Sequence, residues 1–286
     1  MSGFRPSTER PTVYPFNGKS ENLQHDFSQK QSGETRNTHL QPHEQSRGSR
    51  TGKDHQYGRP GYQTHYDEQT ANLDFYQNKK RFEPNGVYIE ELLTKWKDDY
   101  KRLEVNHSYI QWLFPLQKHG KNPKAKPLTD HEIEAMKEDT TVMDRFLRAY
   151  ELMLGFYGIK LHNKATGSVA RNSNYLERFE NLNNYTHNNL RITRILKCLA
   201  LLGYEHFQAP LVKFFLEETL LYNNLKNVKS SATHHFLLAV KDDKECCDLK
   251  KYESSLKTSK ESEIRNKRKE ECRPGSVSSW PKQKSN

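Results

Sequence analysis

Apolar residues recur at spacings of three and four through the middle of the chain and thin out at both ends. Ile89, Leu92, Leu93, Trp96, Tyr100 and Leu103 form one stripe, the pattern of an amphipathic helix. The aromatic stretch Tyr109-Ile110-Gln111-Trp112-Leu113-Phe114-Pro115 comes next, and its proline ends any helix before it. Thr129 to Glu132 reads as a capping box, a helix start. From Thr141 to Tyr157 only Asp144, Arg145, Arg148 and Glu151 share the polar side, so this helix is expected to be central. Gly158 can stop it in the left-handed conformation. Residues 160–172 read as a polar loop around Gly167, and a short helix follows from Asn174 to Leu182. Between Asn188 and Leu202, the residues Ile192, Ile195, Leu196, Leu199 and Leu202 share a face, and Gly203 closes the segment. Pro210 suits the first turn of the next helix, which runs to Tyr222. A last helix is predicted from Leu225 to Val240. No run of period-two alternation reaches strand length. The fold class is therefore all-α, a single bundle of about six or seven helices.

Composition sets the limits of that bundle. The chain has 286 residues, of which 33% are apolar. Residues 1–72 hold 12 apolar residues, residues 73–240 hold 73, and residues 241–286 hold 9. The ends bury too little apolar surface to offset the entropy of ordering them. The expected organisation is a disordered polar tail over 1–72, a helical domain over 73–245 and a disordered basic tail over 246–286. No apolar run approaches the roughly 20 residues of a spanning helix. Met1-Ser2-Gly3-Phe4-Arg5-Pro6 carries no apolar segment, so no signal peptide is expected, and serine at position 2 gives no myristoylation site. Four cysteines, Cys198, Cys246, Cys247 and Cys272, point to a reducing compartment rather than a disulfide scaffold.

The net charge of +10 divides as +1, +5 and +4 over those three stretches. A basic surface is compatible with nucleic acid or anionic membrane and proves neither. Arg191, Arg194 and Lys197 form a cationic stripe, but no recognised DNA-binding motif accompanies it, so nucleic acid is not the expected partner. The cluster Arg265, Lys267, Arg268 and Lys269 is a candidate for a nuclear import receptor.

Chemistry-bearing motifs are scarce. There is no glycine-rich phosphate loop, CxxC pair, HExxH or nucleophile elbow. No enzymatic activity, cofactor or metal is expected. His234, His235, Cys246 and Cys247 read as an ordinary helix end rather than a zinc site. Arg191 and Arg194, one turn apart after His187, Asn188 and Asn189, can hold an anion or a peptide carboxylate, or pair with nearby carboxylates. Glu218 falls among Leu211, Phe215 and Tyr222 on an apolar face, where a carboxylate requires a cation. That cation is an arginine such as Arg191 or Arg194, or the amine of a ligand.

Several long runs point further. Tyr109 to Pro115, Arg148 to Gly158, His187 to Leu196, His206 to Val212 and Phe214 to Leu220 resemble the domain of the opioid growth factor receptor family, over about residues 85–245. The resemblance implies a receptor for methionine-enkephalin that acts as a negative regulator of cell growth. It implies an address in the nucleus and perinuclear cytoplasm, with peripheral membrane association left open. On this reading Glu218 takes the peptide amine, Phe215 and Tyr222 flank its rings, and Arg191 or Arg194 takes its carboxylate. Mammalian receptors of the family carry proline-rich repeats after the domain, whereas residues 241–286 contain only Pro274 and Pro281. This chain therefore looks like a short, receptor-like member. The alternative reading is a helical adaptor for protein or nucleic acid that has lost peptide binding.

Overall fold

In the computed structural model, which describes residues 70–271, the periodic segments are helices. Residues 1–69 of the tail expected over 1–72, and the stretch 272–286 with Cys272, lie outside the described residues, while Ala71 and Asn72 at the end of that expected tail are buried in the first helix. Short helices α1 (Ala71–Tyr76), α2 (Ile89–Lys95), α3 (Tyr100–Val105) and α4 (Ile110–Leu113) open the fold. The single helix predicted through Leu103 is divided because Asp98 adopts a left-handed backbone, φ 65°. Asp99 then caps a new start, its side chain accepting from Arg102 N. The apolar stripe survives the break, with Leu92, Leu93, Trp96 and Leu103 all buried.

Helix α5 (Asp130–Glu138) begins at the predicted capping box between Thr129 and Glu132. Glu132 also accepts from Asn72 N at 2.8 Å, so one buried carboxylate starts α5 and holds α1 against it. Asp139 caps the central helix α6 (Thr140–Phe156) by accepting from Thr141 N and Val142 N. The Val142 amide first, then the Gln77 side chain and the Thr141 amide, hold the Asp139 carboxyl below its ordinary range. Gly158, at φ 77°, ends α6 as the sequence predicts.

The loop expected over 160–172 is a small antiparallel hairpin, β1 (Ile159–Leu161) paired with β2 (Val169–Arg171). Its strands have three residues each, too short to display a two-residue period. Helices α7 (Tyr175–Asn184), α8 (Asn188–Leu201) and α9 (Gln208–Leu216) follow, with Gly203 left-handed after α8. Helix α9 continues as a wider π-type turn over Glu217–Leu221. The helix predicted over 225–240 is a series of 3-10 and π-type turns, from Lys226–Val228 through Ser231–Phe236 to Leu237–Ala239.

The last element departs furthest from expectation. Where residues from 246 onward read as a disordered tail, the chain forms α10 (Asp243–Glu271), 29 residues long. Leu249 and Leu256 are buried, and Cys246 and Tyr252 pack beside them. That narrow stripe, at spacings of three and four, docks the first half of the helix. The architecture is all-α apart from the hairpin, and its helices are more finely divided than six or seven. Clusters of edge-on rings help fill the core, among them Phe75–Trp112 at 5.7 Å and Phe215–Phe236 at 5.2 Å.

Candidate functional site: an acidic, apolar-floored groove beside a buried ion pair

Glu218 is 2% exposed and does carry a cation, but the cation is Arg171. Arg171 Nε donates to Oε1 at 2.6 Å and Nη2 to Oε2 at 2.9 Å, while Asn224 Nδ2 donates to Oε2 at 2.8 Å. This forked pairing raises the Arg171 pKa. The expected bridge to Arg191 or Arg194 is not made. Arg171 was hidden in the sequence because it falls in a short polar stretch with no periodicity. Its guanidinium also lies 4.6 Å from the ring centre of exposed Tyr222 and 5.1 Å from that of Tyr175. Glu218 and Tyr222, expected on one face, share one arginine. Phe215 is fully buried between Phe214 and Phe236, inside the core rather than on a wall open to a ligand.

Arg191 belongs to another network. It is buried, and its Nη1 donates to Leu103 O at 2.9 Å and to the Tyr109 hydroxyl at 3.3 Å. Its Nη2 donates to Glu104 O and Asn106 O at 3.2 and 3.1 Å. Those carbonyls end α3 and have no partner within the helix. Arg191 therefore caps α3 from α8, and Arg178 does the same for α6 by donating to Phe156 O at 2.8 Å. Arg194 is half-buried, its Nε has no partner among the described residues, and burial lowers its pKa.

His187 Nε2 lies 2.7 Å from Glu104 Oε1, and the His107 and His187 rings stand 5.1 Å apart. Burial first, and the nearby Arg191 cation second, lower the pKa of both histidines. His234 and His235 are exposed, and the Cys246 thiol faces Leu237 O at 3.5 Å. Among the described residues no three His, Cys, Asp or Glu side chains converge as a metal would need. Arg265, Lys267 and Arg268 are exposed along α10, and Lys269 falls on the same helix.

The arrangement best suited to a ligand is a groove of about 660 Å³ between the hairpin, α9 and α10. Val169, Pro210, Phe214 and Leu249 give it an apolar floor, while Glu217, Glu245 and Asp248 line its edge. Tyr252 donates to Glu217 at 2.7 Å, and Asp248 pairs with Lys251 at 3.2 Å. The Glu245 carboxylate has no ion pair or hydrogen bond among the described residues. Lys213 reaches over the Tyr252 ring at 5.1 Å and supplies a cation. Burial, and then the bond to Glu217, push the Tyr252 hydroxyl up to about 12, so it remains a donor at neutral pH. Sequence reasoning missed this groove because one wall is α10, which reads as tail.

Residues 65–270 match the family model described as the opioid growth factor receptor conserved region. The opioid growth factor receptor of Homo sapiens is 59% identical over 172 residues, covering 60% of this chain and 25% of that protein. Opioid growth factor receptor-like protein 1 of Mus musculus is 54% identical over 192 residues, covering 67% of this chain and 41% of that protein. The receptor-like protein 1 of Xenopus tropicalis is 54% identical over 172 residues, 60% of this chain and 33% of that protein. The chain thus spans between a quarter and two fifths of the length of these curated relatives. No solved structure matches. No helix among the described residues is long and apolar enough to cross a membrane. The match from the N-terminal side of α1 to the far end of α10 takes in every element that builds the groove, and the chain belongs to the opioid growth factor receptor family.

Proposed function

We propose that this chain is a non-catalytic, receptor-like protein whose helical domain binds a short opioid peptide such as methionine-enkephalin, and that it restrains cell growth through that binding. The observation that carries the proposal is the groove between hairpin, α9 and α10. A short peptide with free ends presents an amine, apolar and aromatic side chains, and a carboxylate. The groove offers an unpartnered carboxylate in Glu245, an apolar floor at Phe214 and Leu249, and a cation in Lys213. Glu218 and Arg191 suit this role less well, because each already has a full set of partners within the protein. Tyr222 remains a neighbouring candidate, exposed and stacked beside Arg171, whereas Arg194, whose Nε has no partner among the described residues, does not line the groove. The receptor names of the relatives support a binding protein over an enzyme. A nuclear and perinuclear address rests on the exposed Arg265, Lys267 and Arg268 of α10 as contacts for an import receptor.

Calorimetric titration of the full chain with methionine-enkephalin and a scrambled peptide tests the proposal. Saturable heat with the true peptide alone, reduced about tenfold or more in affinity by Glu245→Gln, is the expected result. A folded chain that gives no heat, or equal heat with both peptides, overturns it and favours the adaptor reading.

A further inference from the structure

The net charge of the domain is concentrated in one place. Residues 73–240 carry 24 Lys and Arg against 19 Asp and Glu. The segments 73–88 and 116–128 together hold seven of those cations and only two carboxylates, Asp74 and Glu83. Their excess of five equals the excess of that whole stretch, leaving its remainder balanced at 17 of each sign.

The fold joins these two segments into one surface. Asn122 Nδ2, on the second segment, donates to Glu83 O on the first at 2.6 Å. Trp112 Nε1 donates to the same carbonyl at 2.9 Å, and Lys80 lies 6.0 Å from the centre of that indole. Lys79, Arg81, Lys118, Lys121 and Lys124 are exposed, and none has a carboxylate partner among the described residues. A groove of about 660 Å³, walled by residues between Asp74 and Gly86, opens on this face, with half-buried Lys80 inside it paired to Glu83 at 3.5 Å.

We propose that this face is a second binding surface, separate from the peptide groove, which takes the phosphate backbone of duplex nucleic acid without reading its sequence. Lysines dominate it, and an ammonium group meets phosphate as a point charge. The one arginine, Arg81, is stacked 5.0 Å from the centre of the Tyr88 ring, so a single guanidinium fork stands among six lysines, and one fork cannot read a run of base edges. A bilayer is less well matched. Attachment at a membrane surface draws on buried apolar area as well as charge, and none of the large exposed apolar side chains among the described residues lies on either segment. A ridged polyanion can also enter the groove where Lys80 sits, which a flat surface cannot.

The test is fluorescence anisotropy of the full chain with a labelled DNA duplex of random sequence, repeated with phosphatidylserine vesicles and polyglutamate as competitors. With about five phosphates neutralised, affinity is expected to fall roughly 500-fold between 50 and 200 mM salt. The triple variant Lys118→Ala, Lys121→Ala, Lys124→Ala should flatten the log–log salt slope by about three. Its circular dichroism should be unchanged, since these side chains are exposed. A second triple variant, Arg265→Ala, Lys267→Ala, Arg268→Ala, separates this face from the basic end of α10. Duplex affinity that is unchanged by the first variant, or lost only with the second, overturns the proposal. So does preferential binding of the vesicles or of polyglutamate.

Discussion

Arg171 and Glu218 meet side-on, through Nε–Oε1 at 2.6 Å and Nη2–Oε2 at 2.9 Å, and this one pair ties the hairpin to the end of α9. The carboxylate is 2% exposed and the guanidinium 33%, so the pair is wet on one side only. It holds two of the three walls of the groove proposed for the peptide in register.

Removing one partner should cost more than removing both. Arg171→Met leaves a buried, uncompensated carboxylate and should destabilise the fold by about 2–4 kcal/mol. Glu218→Gln keeps the bond from Arg171 in neutral form and should cost about 1–2 kcal/mol. The double variant Arg171→Met, Glu218→Gln should lose less than the sum of the single changes. Urea unfolding of the four proteins measures the coupling, and strict additivity would remove the pair from the account.

Arg191 is predicted to be irreplaceable by lysine. Three backbone carbonyls and the Tyr109 hydroxyl share its two terminal nitrogens. A lysine ammonium cannot span them. Arg191→Lys should lower stability by about 2–3 kcal/mol, with the amides of α3 losing protection from hydrogen exchange first. Equal protection in the variant and the parent would show that α3 is capped in some other way.

The histidine pair predicts a slope with pH. His107 and His187 have pKa values below the ordinary 6.5 in the folded chain, through burial and Arg191, with Lys121 adding to the effect on His107 and Glu104 opposing it for both. The unfolded chain therefore binds protons more readily as pH falls through 6.5, and stability should decline from there until the folded-state pKa values are passed. Above about pH 7.5 the pair contributes no slope. Urea midpoints between pH 7.5 and 5.5 should fall, and His107→Gln with His187→Gln should flatten that part of the curve. A parent curve as flat as the variant's would contradict the assignment.

Helix α10 should behave as two halves. Leu249, Tyr252 and Leu256 pack its first half against the domain, and Lys260 Nζ donates to Leu220 O at 3.0 Å. Past Lys260 the side chains of Glu261, Ser262, Ile264, Arg265, Lys267 and Arg268 are all exposed. Amides of residues 247–257 should therefore exchange slowly and those of 262–271 at nearly the rate of an isolated helix. Uniform protection to Glu271 would mean that the far half is covered.

Local signals in the chain carried much of this structure. Thr129, Gly158 and Gly203 mark helix ends by capping and backbone chemistry that needs no tertiary partner. The apolar faces of α6 and α8 follow from spacing alone. What spacing cannot convey is which polar residue meets which. Glu218 visibly needed a cation, but Arg171 lies 47 residues away in sequence, on a strand of three residues. Arg191 looked free for a ligand because backbone carbonyls, its actual partners, leave no mark on composition. Helix α10 reads as tail because four packed side chains, Cys246, Leu249, Tyr252 and Leu256, are diluted among charged residues. The groove depended on that helix and was hidden with it.

The most direct test of the central claim pairs a change in the peptide with a change in the protein. Methionine-enkephalin with a free amine and the same peptide acetylated at its amino terminus are titrated against the parent chain and against Glu245→Gln. The account predicts that acetylation weakens binding to the parent by about tenfold or more, the worth of one charge-assisted contact, and has little effect on the variant. A parent chain that binds both peptides equally, or a variant that still discriminates between them, would contradict the placing of the peptide amine at Glu245.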